Sequence, residues 1–166
     1  MDQSSGRPAD EVTDVIHTYS DTLFRICLVM LRHEQDAEDA IQETFLRYMS
    51  KAPVFTDEEH QKAWLIKVAT NVCNDIGRFR KRHNHMNIDN LSHYSVSAET
   101  TGILDIVLSL PTKYKIVVLL HYVDGYDVKE VAKLIGITVS AAKKRLERAR
   151  KILKLEYDKE SETNEK

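Results

Sequence analysis

Turn-forming, aromatic and cysteine residues are all scarce in this chain of 166 residues. It contains five glycines, three prolines and two cysteines, and only 7% of its residues are aromatic. Together with abundant Ala, Leu, Ile, Lys and Glu, this composition predicts an all-α protein. Cys27 and Cys73 stand in apolar helical stretches. They are expected to be small buried side chains rather than a disulfide or metal ligands.

Long hydrophobic runs are also missing. No apolar segment approaches the roughly 20 residues needed to cross a bilayer. The N-terminal sequence MDQSSGRPADE lacks the basic and apolar regions of a signal peptide. Hydrophobic residues nevertheless make up 42% of the chain, which is enough for packed cores. We therefore expect a folded protein that stays in the cytoplasm.

An excess of charge of either sign is absent as well, since the net charge is −2. This average hides a segregation along the chain. Acids are concentrated in residues 34–43 and again in the tail at 156–165, whereas bases are concentrated in residues 78–82 and after Ser140. Two basic patches and a separate acidic patch suggest a molecule that faces DNA twice and another partner once.

Apolar residues recur at helical spacing through most of the chain. In the first half they predict helices at about 10–31, 34–50 and 61–82, with a loop between the last two that contains Pro53. Residues from His83 to Thr101 show no period and are rich in Asn, Ser and His, which is typical of a linker. The chain is therefore predicted to form two small helical domains, at 10–82 and 102–157, joined by a flexible linker at 83–101. The acidic tail after Glu156 is expected to fray.

The segment from Val128 to Leu153 has the pattern of a helix-turn-helix. Gly136 supplies the left-handed turn residue, and Thr138 or Ser140 can cap the helix that follows. Val131, Ala132 and Ile135 are expected to bury the first helix. The second helix carries one acid, Glu147, among the cations Lys143, Lys144, Arg145, Arg148, Arg150, Lys151 and Lys154. Most charge runs are solvated helix faces, but a turn at this spacing in front of them favours DNA binding.

A second basic cluster ends the predicted third helix, where Phe79, the last residue of that helix's predicted apolar face, lies among Arg78, Arg80, Lys81 and Arg82. Four cations in five residues repel one another unless an anion is present, and the phosphate backbone of DNA is one such anion. The alternative is a favourable interaction of these cations with the C-terminal end of the helix.

Patterns of catalytic residues are missing. The chain has no glycine-rich phosphate loop, no zinc-ligand spacing and no Ser/His/Asp arrangement. His83-Asn84-His85 is the string found in some nucleases, but that chemistry needs a ββα scaffold and no strand period is present. We therefore expect neither an enzyme nor a cofactor or metal site.

Three segments in this order resemble the extracytoplasmic-function (ECF) sigma factors, the smallest class of the bacterial sigma-70 family. DAEDAIQETFLRYM (Asp36–Met49) resembles the conserved region 2 helix, and AWLIKVATNVCNDIGRFRKR (Ala63–Arg82) resembles the promoter-melting helix. The segment from Leu110 to Leu153 resembles region 4. The resemblance implies a dissociable initiation subunit of RNA polymerase, with promoter DNA, core polymerase and an anti-sigma factor as its partners.

The resemblance also implies roles for individual residues. The acidic helix would dock on the clamp coiled coil of the largest polymerase subunit through Asp36, Asp39, Gln42 and Glu43. The −10 element would be held by Phe55 and Asn71, which match base-capture positions, and by Arg78, Arg80, Lys81 and Arg82 on phosphates. The −35 element would be read by Lys143, Lys144, Glu147 and Arg148, with Arg145 and Arg150 on phosphates. A flap-tip contact is expected around Tyr114 to Val123.

Two other hypotheses remain at this point. An ordinary helix-turn-helix regulator explains the last third of the chain equally well, but it leaves the acidic helix and the second basic patch without roles. A helical adaptor or nuclease-like enzyme would show metal-dependent activity, or no salt-sensitive affinity for DNA. Binding to core polymerase separates the sigma factor from the regulator.

Overall fold

The computed structural model describes residues 6–83, 107 and 109–164. Within them, helices α1 to α3 form one compact unit (unit 1), and helices α4 to α6 form a second (unit 2). The helices are α1 (Ala9–Leu31), α2 (Glu34–Lys51), α3 (Glu58–His83), α4 (Thr112–Val118), α5 (Val128–Ile135) and α6 (Val139–Asn164), with a π-helical segment (Leu119–Val123) after α4. The prediction of an all-α fold is confirmed. None of these helices is long and apolar enough to cross a membrane.

Unit 1 is a three-helix bundle in which each helix packs against the other two. Each helix buries one apolar stripe, as the sequence period predicts. Burial of a large aliphatic side chain stabilises a fold by about 1.5–3 kcal/mol, so this shared core holds the bundle together. Its fully buried members include Leu23, Ile26, Cys27, Ala37, Ala40, Tyr48, Leu65, Ile66 and Ala69.

The two predicted buried cysteines are confirmed. Cys27 of α1 and Cys73 of α3 are both free and buried. A hydrogen bond with Cys27 and burial both raise the pKa of the Cys73 thiol, which therefore stays neutral. The two side chains behave as part of the apolar core.

The turn between α1 and α2 is closed by backbone geometry. Arg32 adopts a left-handed conformation with φ 57°, and its N–H donates to the Leu28 carbonyl at 2.8 Å. His33 then caps α2, its Nδ1 accepting a hydrogen bond from the Asp36 N–H at 3.4 Å. This two-residue connection makes α1 and α2 antiparallel neighbours.

Helix α3 begins at Glu58, three residues earlier than the predicted Gln61. The cause is Asp57, whose carboxylate accepts a hydrogen bond from the His60 N–H at 2.7 Å. Aspartate is a preferred residue at this position because it satisfies a backbone N–H at the start of a helix. The loop between α2 and α3 is thus shortened to residues 52–57, which we call the α2–α3 loop.

Unit 2 contains the predicted helix-turn-helix, formed by α5 and α6. Asp127 and Glu130 begin α5 with a reciprocal capping box, in which each side chain accepts from the other residue's backbone N–H, at 2.9 and 2.8 Å. Gly136 ends α5 with φ 72°. Thr138 then caps α6, since its Oγ1 accepts from the Ala141 N–H at 3.1 Å. Of the two predicted caps, Thr138 is the one used.

The core of unit 2 lies where α4 and α5 pack on α6. Part of this core comprises Leu110, Tyr114, Val118 and Ala149, with Val107, Ile152 and Leu153 packed against it. On α5 the predicted Val131 and Ala132 are buried, but the third buried residue is Leu134 rather than Ile135, which is only half-buried.

Two other sequence expectations are corrected. Phe79, predicted on the buried face of α3, is 61% exposed. The fully buried residues of α3 end at Cys73, so the stripe that contains Phe79 continues into solvent. The tail after Glu156 does not fray at once, because α6 continues to Asn164. No Gly or Pro is present there to end the helix.

The predicted linker at 83–101 is described only at its first residue, since His83 is the last residue of α3 and residues 84–101 lie outside the described part of the chain. Most of 102–110 lies outside it as well. The domain bounds at 10–82 and 102–157 therefore stay predictions.

Replacing Gly136 with Ala should lower the free energy of unfolding of unit 2 by about 1 kcal/mol, because a Cβ strains the left-handed backbone there. Nothing lies within 4 Å of the added Cβ, so the cost is in the backbone alone.

Gly77 of α3 offers the same open space in a helix interior. Gly77→Ala should therefore stabilise unit 1 by up to about 1 kcal/mol. Urea denaturation followed by circular dichroism checks both; a destabilised Gly77→Ala would contradict this account.

Candidate functional site

An aromatic cluster lies where the α2–α3 loop crosses the bundle. Phe55 of the loop is half-buried and stacks parallel to Tyr48, with ring centroids 6.2 Å apart. Trp64 of α3 meets both rings edge-on, at 5.8 Å from Phe55 and 6.3 Å from Tyr48. Phe55, predicted to capture a base, therefore belongs to a built aromatic site. Trp64 is half-buried within this cluster rather than deep in the core.

A charged and polar network completes this cluster. The Arg7 guanidinium lies 4.6 Å from the Tyr48 ring centroid and 5.2 Å from that of Phe55. The Tyr48 hydroxyl donates to Glu11 Oε1 at 2.9 Å and accepts from Gln61 Nε2, also at 2.9 Å. The guanidinium also pairs with Glu11. The network thus ties the N-terminal residues and all three helices to one ring.

The cluster borders a cavity of about 450 Å³ that is open to solvent. Apolar and ionic groups line it together, an arrangement suited to a flat polar ligand such as a nucleobase. Its lining includes Arg7, Glu11, Phe55, Asp57, Glu58 and Gln61.

Helix periodicity places several predicted −10 residues on one side of α3. Asn71 is exposed two turns beyond Trp64 on the same side, and Arg78 lies two turns further on. Arg78 is exposed and lies 3.6 Å from Asp75. Lys81 and Arg82 are also exposed, in the last turn. A partly cationic stripe therefore leads away from the aromatic cluster along α3.

Arg80 lies on the opposite side of α3 from Asn71, and it forms an ion pair with Asp36 of α2. The structure therefore brings together one residue predicted to bind DNA and one predicted to bind polymerase. Asp36 is only 18% exposed. Asp36 and Arg80 therefore bind each other within unit 1. They do not lie beside the other residues that were predicted to bind polymerase or DNA.

The other predicted polymerase-binding residues share the outer face of α2. Asp39 and Gln42 are exposed, and Glu43 is half-exposed and pairs with Arg47 at 2.7 Å. Two apolar side chains that were not predicted from the sequence lie on the same side: Leu46 is 58% exposed and Met49 is 45% exposed. Asp39, Gln42, Leu46 and Met49 are spaced by three or four residues, the spacing that aligns side chains along a helix.

Helix α6 presents most of its predicted DNA-binding residues to solvent. Lys143, Lys144, Glu147 and Arg148 are exposed, whereas Arg145 is half-buried. Glu147 is not free in the described structure, because Lys151 Nζ lies 3.1 Å from its carboxylate.

Two tyrosines that precede the helix-turn-helix contact arginines of α6. Tyr122, which is 53% exposed in the π-helical segment, accepts a hydrogen bond from Arg150 at 3.0 Å. A hydrogen bond from Arg148 lowers the pKa of Tyr114, and the nearby Lys113 acts in the same direction. These contacts were missed because partners about 30 residues apart leave no periodic signal in the sequence.

Comparisons with known families match both units. The description "Sigma-70 region 2" matches residues 15–84, and "Sigma-70, region 4" matches residues 101–153. The first match contains α2, α3 and the aromatic cluster apart from Arg7 and Glu11. The second contains the helix-turn-helix.

Individual relatives match along most of the chain. It is 30% identical over 166 aligned positions to the ECF RNA polymerase sigma factor SigW of Bacillus subtilis (strain 168), covering 87% of this chain and 88% of that one. It is 27% identical to SigM of the same organism, covering 89% and 96%. Among solved structures it resembles the sigma factor RpoE in complex with the anti-sigma factor NepR from Bartonella quintana, with a TM-score of 0.71 and 18% identity, covering 90% and 98%.

Replacing Glu11 with Gln should make unit 1 less sensitive to acid. Hydrogen bonds from Tyr48 and then Arg7 lower the pKa of Glu11 below its ordinary value near 4.5. A lowered pKa adds stability above the ordinary value, and this contribution is lost as the pH falls through the folded-state value. The free energy of unfolding, measured in urea from about pH 5 to about pH 3, should therefore fall less steeply in Glu11→Gln than in the wild type.

Glu38→Gln is the matched control, since Glu38 is exposed on α2. It should keep the wild-type slope. Identical slopes for both variants would mean that Glu11 is not held by this network.

Proposed function

The chain belongs to the ECF sigma factors of the sigma-70 family, and we propose that its two units divide promoter recognition between them. Sigma factors of this family are initiation factors that act with core RNA polymerase on promoter DNA and carry out no catalysis of their own. The chain is accordingly proposed to act in the cytoplasm, on polymerase, without a cofactor. The proposal rests on one observation: the chain has both an aromatic site beside the cationic stripe of α3 and a helix-turn-helix whose second helix is basic.

Unit 1 would open the −10 element by holding an unstacked base. Phe55 lines a cavity of about 450 Å³, and stacking of a base on an aromatic side chain is worth about 1–3 kcal/mol per base. Asn71, Arg78, Lys81 and Arg82 follow along one side of α3, where they can bind the base edge and the phosphates of the single strand. Arg80 is assigned a different part, because its partner is Asp36. It would brace α2 rather than contact phosphate.

Unit 2 would read the −35 element as duplex. Lys143, Lys144, Glu147 and Arg148 are exposed near the start of α6, the part of a recognition helix that reaches base edges. Arg150 lies further along and is held by Tyr122, which suits a phosphate contact. Arg145 is half-buried and would reach phosphate at the edge of the groove.

The polymerase clamp would dock on the outer face of α2. Acidic Asp39 and Glu43 would steer a basic partner, while Leu46 and Met49 would supply the apolar centre that such interfaces need. Asp36 would support this face through its ion pair with Arg80 more than through direct contact with polymerase. In unit 2, exposed Tyr122 and Val123 are the proposed flap-tip surface.

A protein inhibitor is the further partner that we propose. The RpoE relative is bound to the anti-sigma factor NepR, and CnrH, at a TM-score of 0.62 and 19% identity, is bound to the cytosolic domain of CnrY. An inhibitor of this chain would cover the same charged faces of α2, α3 and α6.

The direct test is transcription in vitro with a heterologous core polymerase. Adding the purified chain should create defined start sites that core polymerase alone does not use, and genome-wide mapping of these sites should reveal shared −10 and −35 sequences. If the chain bound promoter DNA as a homodimer without polymerase and created no start site, it would be a helix-turn-helix regulator instead.

Reversing two charges on the docking face should abolish core binding. In Asp39→Lys/Glu43→Lys the partner would meet cations where it now meets carboxylates, and like charges at an interface cost several kcal/mol. The control is Glu34→Lys/Glu38→Lys, which makes the same change at the same four-residue spacing on another side of α2. Affinity for core polymerase is measured by fluorescence anisotropy, with circular dichroism to check folding. Equal losses in the two double variants would refute the docking face.

Lys143→Ala and Arg150→Ala should change DNA binding in different ways. Loss of a base contact at Lys143 should cost about 1–3 kcal/mol at one −35 position and relax the preference there. Loss of a phosphate contact at Arg150 should weaken all sequences alike and reduce the salt dependence of binding by about one counterion. Binding of the holoenzyme to a set of −35 variants at several salt concentrations checks both, and a uniform loss for Lys143→Ala would assign that residue to phosphate.

A further inference from the structure

Arg7 lies outside the segment that matches the family, which starts at residue 15, yet it touches the loop that carries Phe55. We propose that Arg7 is a positioning residue that holds the α2–α3 loop in the geometry that accepts an unstacked base. This inference rests on the proposed function of unit 1. It adds a residue and a role to that function, since an N-terminal side chain would control how selectively the pocket takes its base.

The contacts of Arg7 fix the start of the loop. Its guanidinium donates to the backbone carbonyls of Ala52, at 3.3 Å, and Pro53. Ala52 is the C-cap residue that follows α2, at the helix end where unpaired carbonyls carry partial negative charge. A planar guanidinium can serve two carbonyls and a carboxylate at once, here that of Glu11. The first two residues of the loop are therefore tied to α1 through one side chain.

The other end of the loop is tied independently to α3. Asp57 caps that helix through the His60 N–H, and the ring of His60 lies 5.3 Å from that of Phe55. Val54, next to Phe55, is 92% exposed, so it gives the loop no apolar anchor. Phe55 thus lies in a loop that Arg7 holds at one end and Asp57 at the other. Loss of the first would let the loop move and would separate Phe55 from Tyr48.

Contact with DNA phosphate is the competing role for Arg7, and the structure argues against it. The Arg7 side chain is only 19% exposed, and its donors already serve Glu11 and two carbonyls. Its planar face is occupied by the Tyr48 and Phe55 rings. A cation available to phosphate would be exposed to solvent, as Lys81 and Arg82 at the end of α3 are.

The test measures base selectivity rather than affinity alone. Holoenzyme is bound to a single-stranded oligonucleotide carrying the −10 sequence of a mapped promoter, and to copies in which each base in turn is replaced by an abasic site. The wild type should bind the intact strand about ten times more tightly than the copy lacking the captured base, as base stacking on an aromatic side chain implies. In Arg7→Gln this ratio should fall to about twofold or less, because Phe55 is no longer held in place.

Arg7→Lys separates positioning from charge. Lysine keeps the charge but cannot serve both carbonyls and stack on two rings, so it should lose selectivity as Arg7→Gln does. Lys51→Gln is the charge-matched control, since Lys51 is exposed at the end of α2, and it should keep the wild-type ratio. Binding to core polymerase should be unchanged in all three variants.

Each other outcome overturns the proposal. Full selectivity in Arg7→Lys with a loss in Arg7→Gln would make Arg7 a simple charge contact. An equal loss of affinity for intact and abasic strands would make it a general electrostatic or folding residue. Wild-type selectivity in both variants would leave Arg7 without a role in the pocket, although the proposed function would stand. If the wild type itself created no start site, the proposed function would fail first and the inference with it.

Discussion

Unit 1 depends on the burial of one polar aromatic side chain, Tyr48. The residue is fully buried, and a buried hydroxyl without a partner would cost about 1–3 kcal/mol. Its partners are Glu11 of α1 and Gln61 of α3, so the phenol is satisfied only when all three helices are in place. The Tyr48 ring also stacks against Phe55. The side chain that completes the bundle therefore also packs against Phe55, which lines the candidate base pocket.

Unit 2 uses tyrosines in a comparable way. Tyr114 of α4 and Tyr122 of the π-helical segment form hydrogen bonds with Arg148 and Arg150 of α6. A π-helical turn holds one more residue than an α-helical turn and is often found at functional sites, because it redirects the side chains that follow. An arginine side chain loses rotamer freedom when it binds DNA, so an arginine that is already held in place loses less conformational entropy on binding. The segment before the helix-turn-helix thus restrains two arginines of the helix that is proposed to face DNA.

Most of the fold could be predicted from the sequence, because the apolar stripes and end signals are local. The bounds of α1 and α2 follow from helical period, and Gly136 marks the turn through its need for positive φ. The errors have local causes too. The start of α3 was predicted three residues too late because Asp57 was not recognised as its cap, and Phe79 continues an apolar stripe beyond the part that the other helices cover.

The candidate sites were only partly predictable, because they depend on contacts between residues distant in sequence. Phe55 and Asn71 were found through family resemblance, but Arg7 reaches the loop across about 45 residues and follows no motif. The exposure of Leu46 and Met49 could not be predicted, because nothing in the sequence distinguishes them from other apolar helix residues.

The basic cluster at the end of α3 shows why composition cannot assign roles to single charges. Successive helical residues point about 100° apart, so Arg78, Arg80, Lys81 and Arg82 cannot all lie on one face. Arg80 is the member directed toward α2, and its pair with Asp36 joins the N-terminal turn of α2 to the C-terminal turns of α3. Because the Arg80 side chain is 40% exposed, removing Asp36 would leave its charge partly solvated and would chiefly remove the contact between these two helix ends. One ion pair therefore joins the helix that carries the proposed docking face to the helix that carries the cationic stripe. From the sequence, its two residues were predicted to bind different partners.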